Sequence, residues 1–151
     1  MKLKELIGSG DKIWLFTLPF LAVGLALNIL FPAVFKVGGP SNALKAISFV
    51  MLIPGVVIWL WSFTLILTKA RRGELITTGP YALVKHPIYT SVGLLVIPSA
   101  CFLLNTWLGA LVGVALYIGA RRYAPEEERT LSRTFGPAWD AYAGKVKIPW
   151  L

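Results

Sequence analysis

The chain has 151 residues, a formal charge of +8 and a hydrophobic share of 56%, with a mean hydropathy of +0.70. Soluble domains are about 45–50% apolar, so the composition excludes an ordinary soluble fold, and the length predicts one domain over 1–151. Two charge-free runs, 13–35 and 46–68, exceed the roughly 20 residues needed to cross a bilayer. The expected fold class is therefore an all-α integral membrane protein.

The basic start, Met1-Lys2-Leu3-Lys4, imitates a signal peptide, but the apolar run after it outlasts a signal core of about 7–15 residues. It reads as a retained first span carrying Pro19, Asn28 and Pro32. Asn28 reads as an interhelical hydrogen-bonding group. The connection Lys36–Asn42 has turn chemistry in Gly38-Gly39-Pro40, and Pro54-Gly55 in span two predicts a kink. Trp59 and Trp61 fit an aromatic belt.

A polar, turn-rich stretch follows, Thr77-Thr78-Gly79-Pro80-Tyr81-Ala82-Leu83-Val84-Lys85-His86-Pro87-Ile88-Tyr89, with the sole histidine. His86 precedes proline and is biased away from helix, while Pro87 suits a helix start. Taken alone, His86 has a bland alternative, a helix-start histidine without chemistry. Two shorter apolar segments come next, 88–104 and 107–123, divided only by Asn105-Thr106. So short a divider makes them antiparallel. Gly93, Gly109 and Gly113 permit their backbones to approach closely. Four spans result.

A second polar cluster, Pro125-Glu126-Glu127-Glu128, holds three of the seven acidic residues. It reads either as a first helical turn complementing the macrodipole or as carboxylates for an amine and ribose hydroxyls. Tail helices are expected over 125–147, broken at Gly136-Pro137, with an apolar stripe of Leu131, Phe135, Trp139, Tyr142 and Val146. Thirteen of the fifteen basic residues fall on one side of the four-span arrangement; only Lys36 and Lys45 lie on the other. This distribution predicts cytoplasmic termini and a lipid partner, with no role for nucleic acid. One histidine and one cysteine make no metal-ligand set. Cys101, in apolar sequence, reads as a small buried hydrophobe.

The succession Gly79-Pro80-Tyr81, Lys85-His86-Pro87-Ile88-Tyr89, a helical hairpin, Glu127-Glu128-Arg129-Thr130-Leu131 and Phe135-Gly136 resembles the isoprenylcysteine carboxyl methyltransferase family. Phospholipid N-methyltransferases are related to it. Trp139, Tyr142, Val146 and Ile148-Pro149 resemble that family's tail. The resemblance implies S-adenosylmethionine as methyl donor, with S-adenosylhomocysteine as product. It implies donor contacts from Tyr81, His86, Tyr89, Glu127 and Glu128. Lys85 and Arg122 are candidates for substrate orientation on their own chemistry, with membrane anchoring the simpler reading of Arg121-Arg122. The family's usual Arg-His-Pro is Lys85-His86-Pro87 here, and lysine lacks a two-pronged contact to a carboxylate. Prenylcysteine carboxylate, phospholipid amine and thiol all stay open as acceptors, and no catalytic base is assigned. The alternatives are a membrane reductase of the sterol-reductase type using NADPH and a non-catalytic scaffold. The short length suggests a prokaryotic membrane protein.

Overall fold

The structure is a computed structural model describing residues 10–39 and 41–148. Lys2, Lys4, Pro40 and Pro149, used in the sequence reading, lie outside the described residues. The described chain is helical, with no β-sheet and two isolated bridges.

Helix α1 runs Gly10–Leu30, and a separate turn, α2, covers Pro32–Phe35. The first span was expected to continue to residue 35 but stops at Leu30. Phe31 lies at φ −130° and ψ 55°, because the Pro32 ring disfavours helical backbone in the residue before it. Helix α3, Asn42–Thr68, contains the whole of the expected second span. Ser41 caps it, its Oγ accepting from the Leu44 amide at 3.1 Å. Both α1 and α3 are long and apolar enough to cross a membrane. They also leave Leu15, Ile29, Val50, Ile53 and many other apolar side chains exposed. Such a surface would be a liability in water and suits lipid.

Helix α4, Pro87–Leu103, and helix α5, Leu108–Phe135, form the expected antiparallel hairpin around Asn105 at φ +59°. A π-helical stretch, Val92–Val96, lies within α4. The glycines set the helix spacing. A Cβ on Gly113 would sit 2.1 Å from the Gly93 carbonyl oxygen, and one on Gly109 2.3 Å from Cys101 Cβ. Their surface is thus consumed inside the hairpin. Gly55 of α3 does the same against Leu95 and Val96 of α4, so it is a packing site. The buried hydroxyls of Ser48 and Ser62 donate to Leu44 and Ile58 carbonyls of their own helix, at 2.8 and 2.7 Å. Internal donation of this kind is what a lipid environment requires.

At the far end the chain is fastened to the hairpin tip. The Trp107 amide donates to the Phe35 carbonyl at 3.1 Å, and the Gly39 amide to Asn105 Oδ1 at 3.1 Å. On the opposite end, α1 packs on α5 through Ile13, Leu116 and Ala120, with Val92 of α4.

The second half departs from expectation in one respect. Helix α5 passes through Pro125 without a break and continues to Phe135, so Glu126, Glu127 and Glu128 lie far from a helix N-terminus. The macrodipole reading of that cluster is thereby removed, since the effect is confined to the first turn. The break at Gly136-Pro137 is present. Gly136 adopts φ +52°, ψ −128°, a conformation that a side chain disfavours, and Pro137 opens helix α6, Pro137–Ala143. Trp139, Tyr142 and Val146 are buried together with Leu131 and Phe135 against them, as the stripe predicted.

Candidate functional site

The loop between α3 and α4 is shaped by three local constraints. Gly79 has φ +65°, and a Cβ there would lie 3.0 Å from the Trp61 ring. Pro80 then opens a 3-10 turn, Gly79–Ala82, closed by the Leu83 amide on the Pro80 carbonyl at 3.1 Å. His86 is non-helical at φ −124° and ψ 62°, as a residue before proline should be, and Pro87 starts α4. Lys85 and His86 are consequently carried on the last loop residues before a helix, facing α5.

Their shared partner is Glu128. Lys85 Nζ lies 2.7 Å from Oε1 and 2.8 Å from Oε2, so one ammonium spans both carboxylate oxygens. His86 Nε2 lies 3.1 Å from Oε1. Side-chain exposures of 16% for Lys85, 11% for His86 and 27% for Glu128 keep this cluster from bulk screening. Burial alone would raise the Glu128 pKa. The hydrogen bonds from His86 and Lys85 and their charges outweigh it and hold the carboxyl below the usual range. By contrast, Lys12 and Glu126, 2.6 Å apart, are 49% and 61% exposed and form a surface pair.

Glu127, one residue earlier, has a different role because a 100° step round the helix turns it elsewhere. It lines two cavities together with Tyr81, whose phenol is pushed up by burial and then by the Glu127 charge. The first cavity, about 70 Å³, lies under α6 and is walled by Leu75, Ile76, Leu131, Phe135, Trp139 and Tyr142. The second, about 360 Å³, lies between α1 and α3, with Trp14, Trp59 and Phe63 beside His86 and Tyr89. Ile66, Tyr81, Lys85 and Glu127 belong to both walls, so these four residues are the partition between the cavities. A third space, about 50 Å³, lies between Lys85, His86, Tyr89 and the α5 residues Tyr117, Arg121 and Glu128.

The tail is tied to the loop at two points. Tyr142 Oη donates to the Tyr81 carbonyl at 2.8 Å, and the Ile148 amide to the Leu83 carbonyl at 2.9 Å. Burial, and after it the Glu128 charge, pushes the Tyr142 phenol up to about 12.

Tyr81, Lys85, His86, Tyr89, Glu127 and Glu128, singled out from sequence, are thus gathered around three neighbouring cavities that share lining residues. Arg122 is exposed and lines none of the three; its neighbour Arg121 lines the smallest. Sequence reasoning missed Asp11 and Trp14 of α1, and it gave Trp59 only a belt role. Nothing local distinguishes these residues from ordinary membrane-interface side chains. The signal is their position opposite the loop, which exists only after folding.

A search of curated proteins and of solved structures gave no match. A family model described as the isoprenylcysteine carboxyl methyltransferase family matches residues 45–133. That stretch covers α3, the polar loop, α4 and α5 almost to its end. Spanning more than half of the sequence, it shows that the chain belongs to the isoprenylcysteine carboxyl methyltransferase family, a family of membrane methyltransferases.

Proposed function

We propose that the chain transfers a methyl group from S-adenosylmethionine to an amphiphilic or lipid-like acceptor at the cytoplasmic face of a prokaryotic plasma membrane. In this reading α1, α3, α4 and the first part of α5 are four spans, and both termini are cytoplasmic. Support for the orientation comes from the basic residues Lys12, Lys69, Arg71, Arg72, Arg121 and Arg122 at the end that carries Glu128, against Lys36 and Lys45 at the other.

The observation that carries the proposal is the division of labour between adjacent glutamates. Glu128 is committed to Lys85 and His86, while Glu127 faces the cavities beside Tyr81. The side chains present fit the donor's chemistry. Glu127 suits an ammonium or ribose hydroxyls. The Lys85–His86 pair suits a carboxylate, and the Tyr81, Trp139 and Tyr142 faces suit a purine. In this reading Glu128 acts mainly by fixing Lys85 and His86. A cavity of about 70 Å³ is small beside the roughly 300–1,000 Å³ of ligand pockets. Donor binding therefore involves outward rotation of α6 about Gly136, which parts the Tyr142–Tyr81 hydrogen bond.

When bound, the donor's sulfonium supplies an already activated methyl group. What the chain must add is alignment of acceptor and donor in direct contact, which is worth several kcal/mol of barrier in well-oriented reactions, on the order of 7–11. The acceptor's place is the cavity between α1 and α3, reached sideways from lipid between Trp14 and Trp59.

Calorimetric titration of the detergent-purified protein with S-adenosylhomocysteine tests the proposal. Saturable binding is expected, weakened at least about tenfold (about 1.4 kcal/mol) in Glu127→Ala. Glu128→Ala is also expected to weaken it, through loss of the fixed Lys85 and His86. No binding by folded wild-type protein overturns the reading, and binding of NADPH in its place would put the chain with the reductases.

A further inference from the structure

We infer that the protein thins the bilayer beside its hairpin. At the end that carries Glu128, lipid head groups are drawn down to the level of His86 and Arg121 along α4 and α5. Along α3 the same leaflet keeps its full height. The inference rests on the four-span reading and goes beyond it to the shape of the surrounding lipid.

Its basis is a difference in apolar length between helices that pack together. On α3 the charges bounding the apolar run are Lys45 and Lys69, about 36 Å apart along the helix. On α5 the apolar stretch from Trp107 to Arg121 covers about 21 Å, and Lys36 bridges to Thr106 at its far end. Helix α4 agrees, with about 24 Å from Pro87 to Leu103. The exposed stripes repeat the contrast. Apolar side chains stay exposed on α3 as far as Phe63, whereas on α5 Val114 and Ile118 give way to exposed Arg121 and Arg122.

Close contacts fix these helices against one another. A Cβ on Gly55 would lie 2.8 Å from Leu95 Cβ, and one on Gly113 2.1 Å from the Gly93 carbonyl oxygen. Counted from those points, Lys69 stands about 21 Å above Gly55, His86 at most about 14 Å above Leu95, and Arg121 about 12 Å above Gly113. The loop after α3 turns back along that helix and brings Gly79 against Trp61, seven residues before the helix ends.

Tilt does not remove the difference. Matching about 36 Å to about 21 Å requires α3 to lean by roughly 54°, outside the 0–40° seen for membrane helices. At 40° it still covers about 28 Å. A hydrocarbon core of about 30 Å is therefore matched on the α3 side and too thick for the hairpin. Lys85 is held by Glu128, and Arg121 lines the small cavity beside His86. With these charges engaged at their own level, the lipid comes down to them, since thinning costs little per ångström of mismatch. Water and water-soluble ligands thereby reach a polar cluster that would otherwise lie at hydrocarbon depth.

The test measures depth on the full chain in phosphatidylcholine bilayers. In a Cys101→Ser background, a nitroxide is attached to Thr64→Cys on α3, or to Ile118→Cys or Val114→Cys on α5, all at exposed positions. Depth is read from collisions with oxygen and with a water-soluble nickel chelate. Thr64 lies nine residues above Gly55 and Ile118 five above Gly113, so a flat bilayer puts Thr64 nearer to water. With 18-carbon acyl chains the order is expected to be reversed, Ile118 lying nearer to water by about 3 Å. The reversal should grow with 22-carbon chains and vanish with 14-carbon chains. Thr64 as near to water as Ile118, or nearer, in the 18- and 22-carbon bilayers overturns the inference and leaves the four spans in place. A reversal of equal size at every chain length also overturns it, because helix heights alone would then set the order. Free access of the nickel chelate to Val114 removes the four-span reading itself.

Discussion

The two outward helices and the inner hairpin solve the same membrane problem differently. α1 and α3 are long, exposed and tolerant in composition, with only scattered buried positions such as Ile13, Thr17, Ser48 and Gly55. α4 and α5 approach so closely that Gly93, Gly109 and Gly113 leave no room for a Cβ. Between helices already in lipid, the hydrophobic effect supplies little attraction, so association depends on close packing. The hairpin is therefore the part that fixes geometry, and the polar site stands on the end that carries Glu128. Length and apolarity suffice for the outer pair.

The largest effect is expected where a side chain is forced into the hairpin. Gly113→Val places atoms on the Gly93 carbonyl oxygen and should cost about 3 kcal/mol or abolish folding. Thermal unfolding in detergent measures it, and a variant as stable as wild type would break the contrast between the hairpin and the outer helices.

Next comes the ionic cluster at the hairpin's end. Glu128→Gln should lower stability at neutral pH by about 1–3 kcal/mol, because Lys85 and His86 lose the charged carboxylate they share and one of its two accepting oxygens becomes a donor. The sign with pH follows from the lowered Glu128 pKa. Its contribution is complete above the ordinary carboxylate value of about 4.3 and disappears as pH falls through the lower folded value. Unfolding temperature against pH in the acid range should thus be steeper for wild type than for Glu128→Gln.

A smaller effect belongs to the tail. Tyr142→Phe removes the hydrogen bond to the Tyr81 carbonyl and should cost about 1 kcal/mol. A phenol raised from 10.0 to about 12 favours the folded state below pH 10.0, and that contribution is lost as pH rises toward 12. Alkaline unfolding should accordingly be shallower in the phenylalanine variant. If α6 rotates to admit the donor, the same variant should also exchange S-adenosylhomocysteine faster, as stopped-flow dilution would show. The smallest effect is expected on the outer pair. Val50→Leu on the exposed face of α3 should change stability by less than about 0.5 kcal/mol; a change comparable with Gly113→Val would mean that this face packs on a partner.

Much of this architecture is legible in the chain. Periodicity and composition mark the apolar segments. The pre-proline rule places His86 outside the helix, and Gly136-Pro137 marks the α5–α6 break. These features act over a few residues, so the local sequence contains their cause. The continuity of α5 through Pro125 was not legible, because a proline's local preference gave way to packing along a helix already fixed by α1 and α4. Nor could sequence separate Glu127 from Glu128. Both are acids on one helix, and only the placement of the loop from Lys85 to Tyr89 against α5 assigns one to Lys85 and His86 and turns the other toward Tyr81.

What the sequence determined by itself is the list of helices and the polar residues between them, since apolar length and backbone preference are local properties. Tertiary structure decided which charges are neutralised and which line a cavity. Those outcomes depend on distances of a few ångströms between residues such as Lys85 and Glu128 that lie 43 positions apart. It also brought Asp11 and Trp14, from a helix beyond the family's matched stretch, to the wall of the same cavity as Glu127.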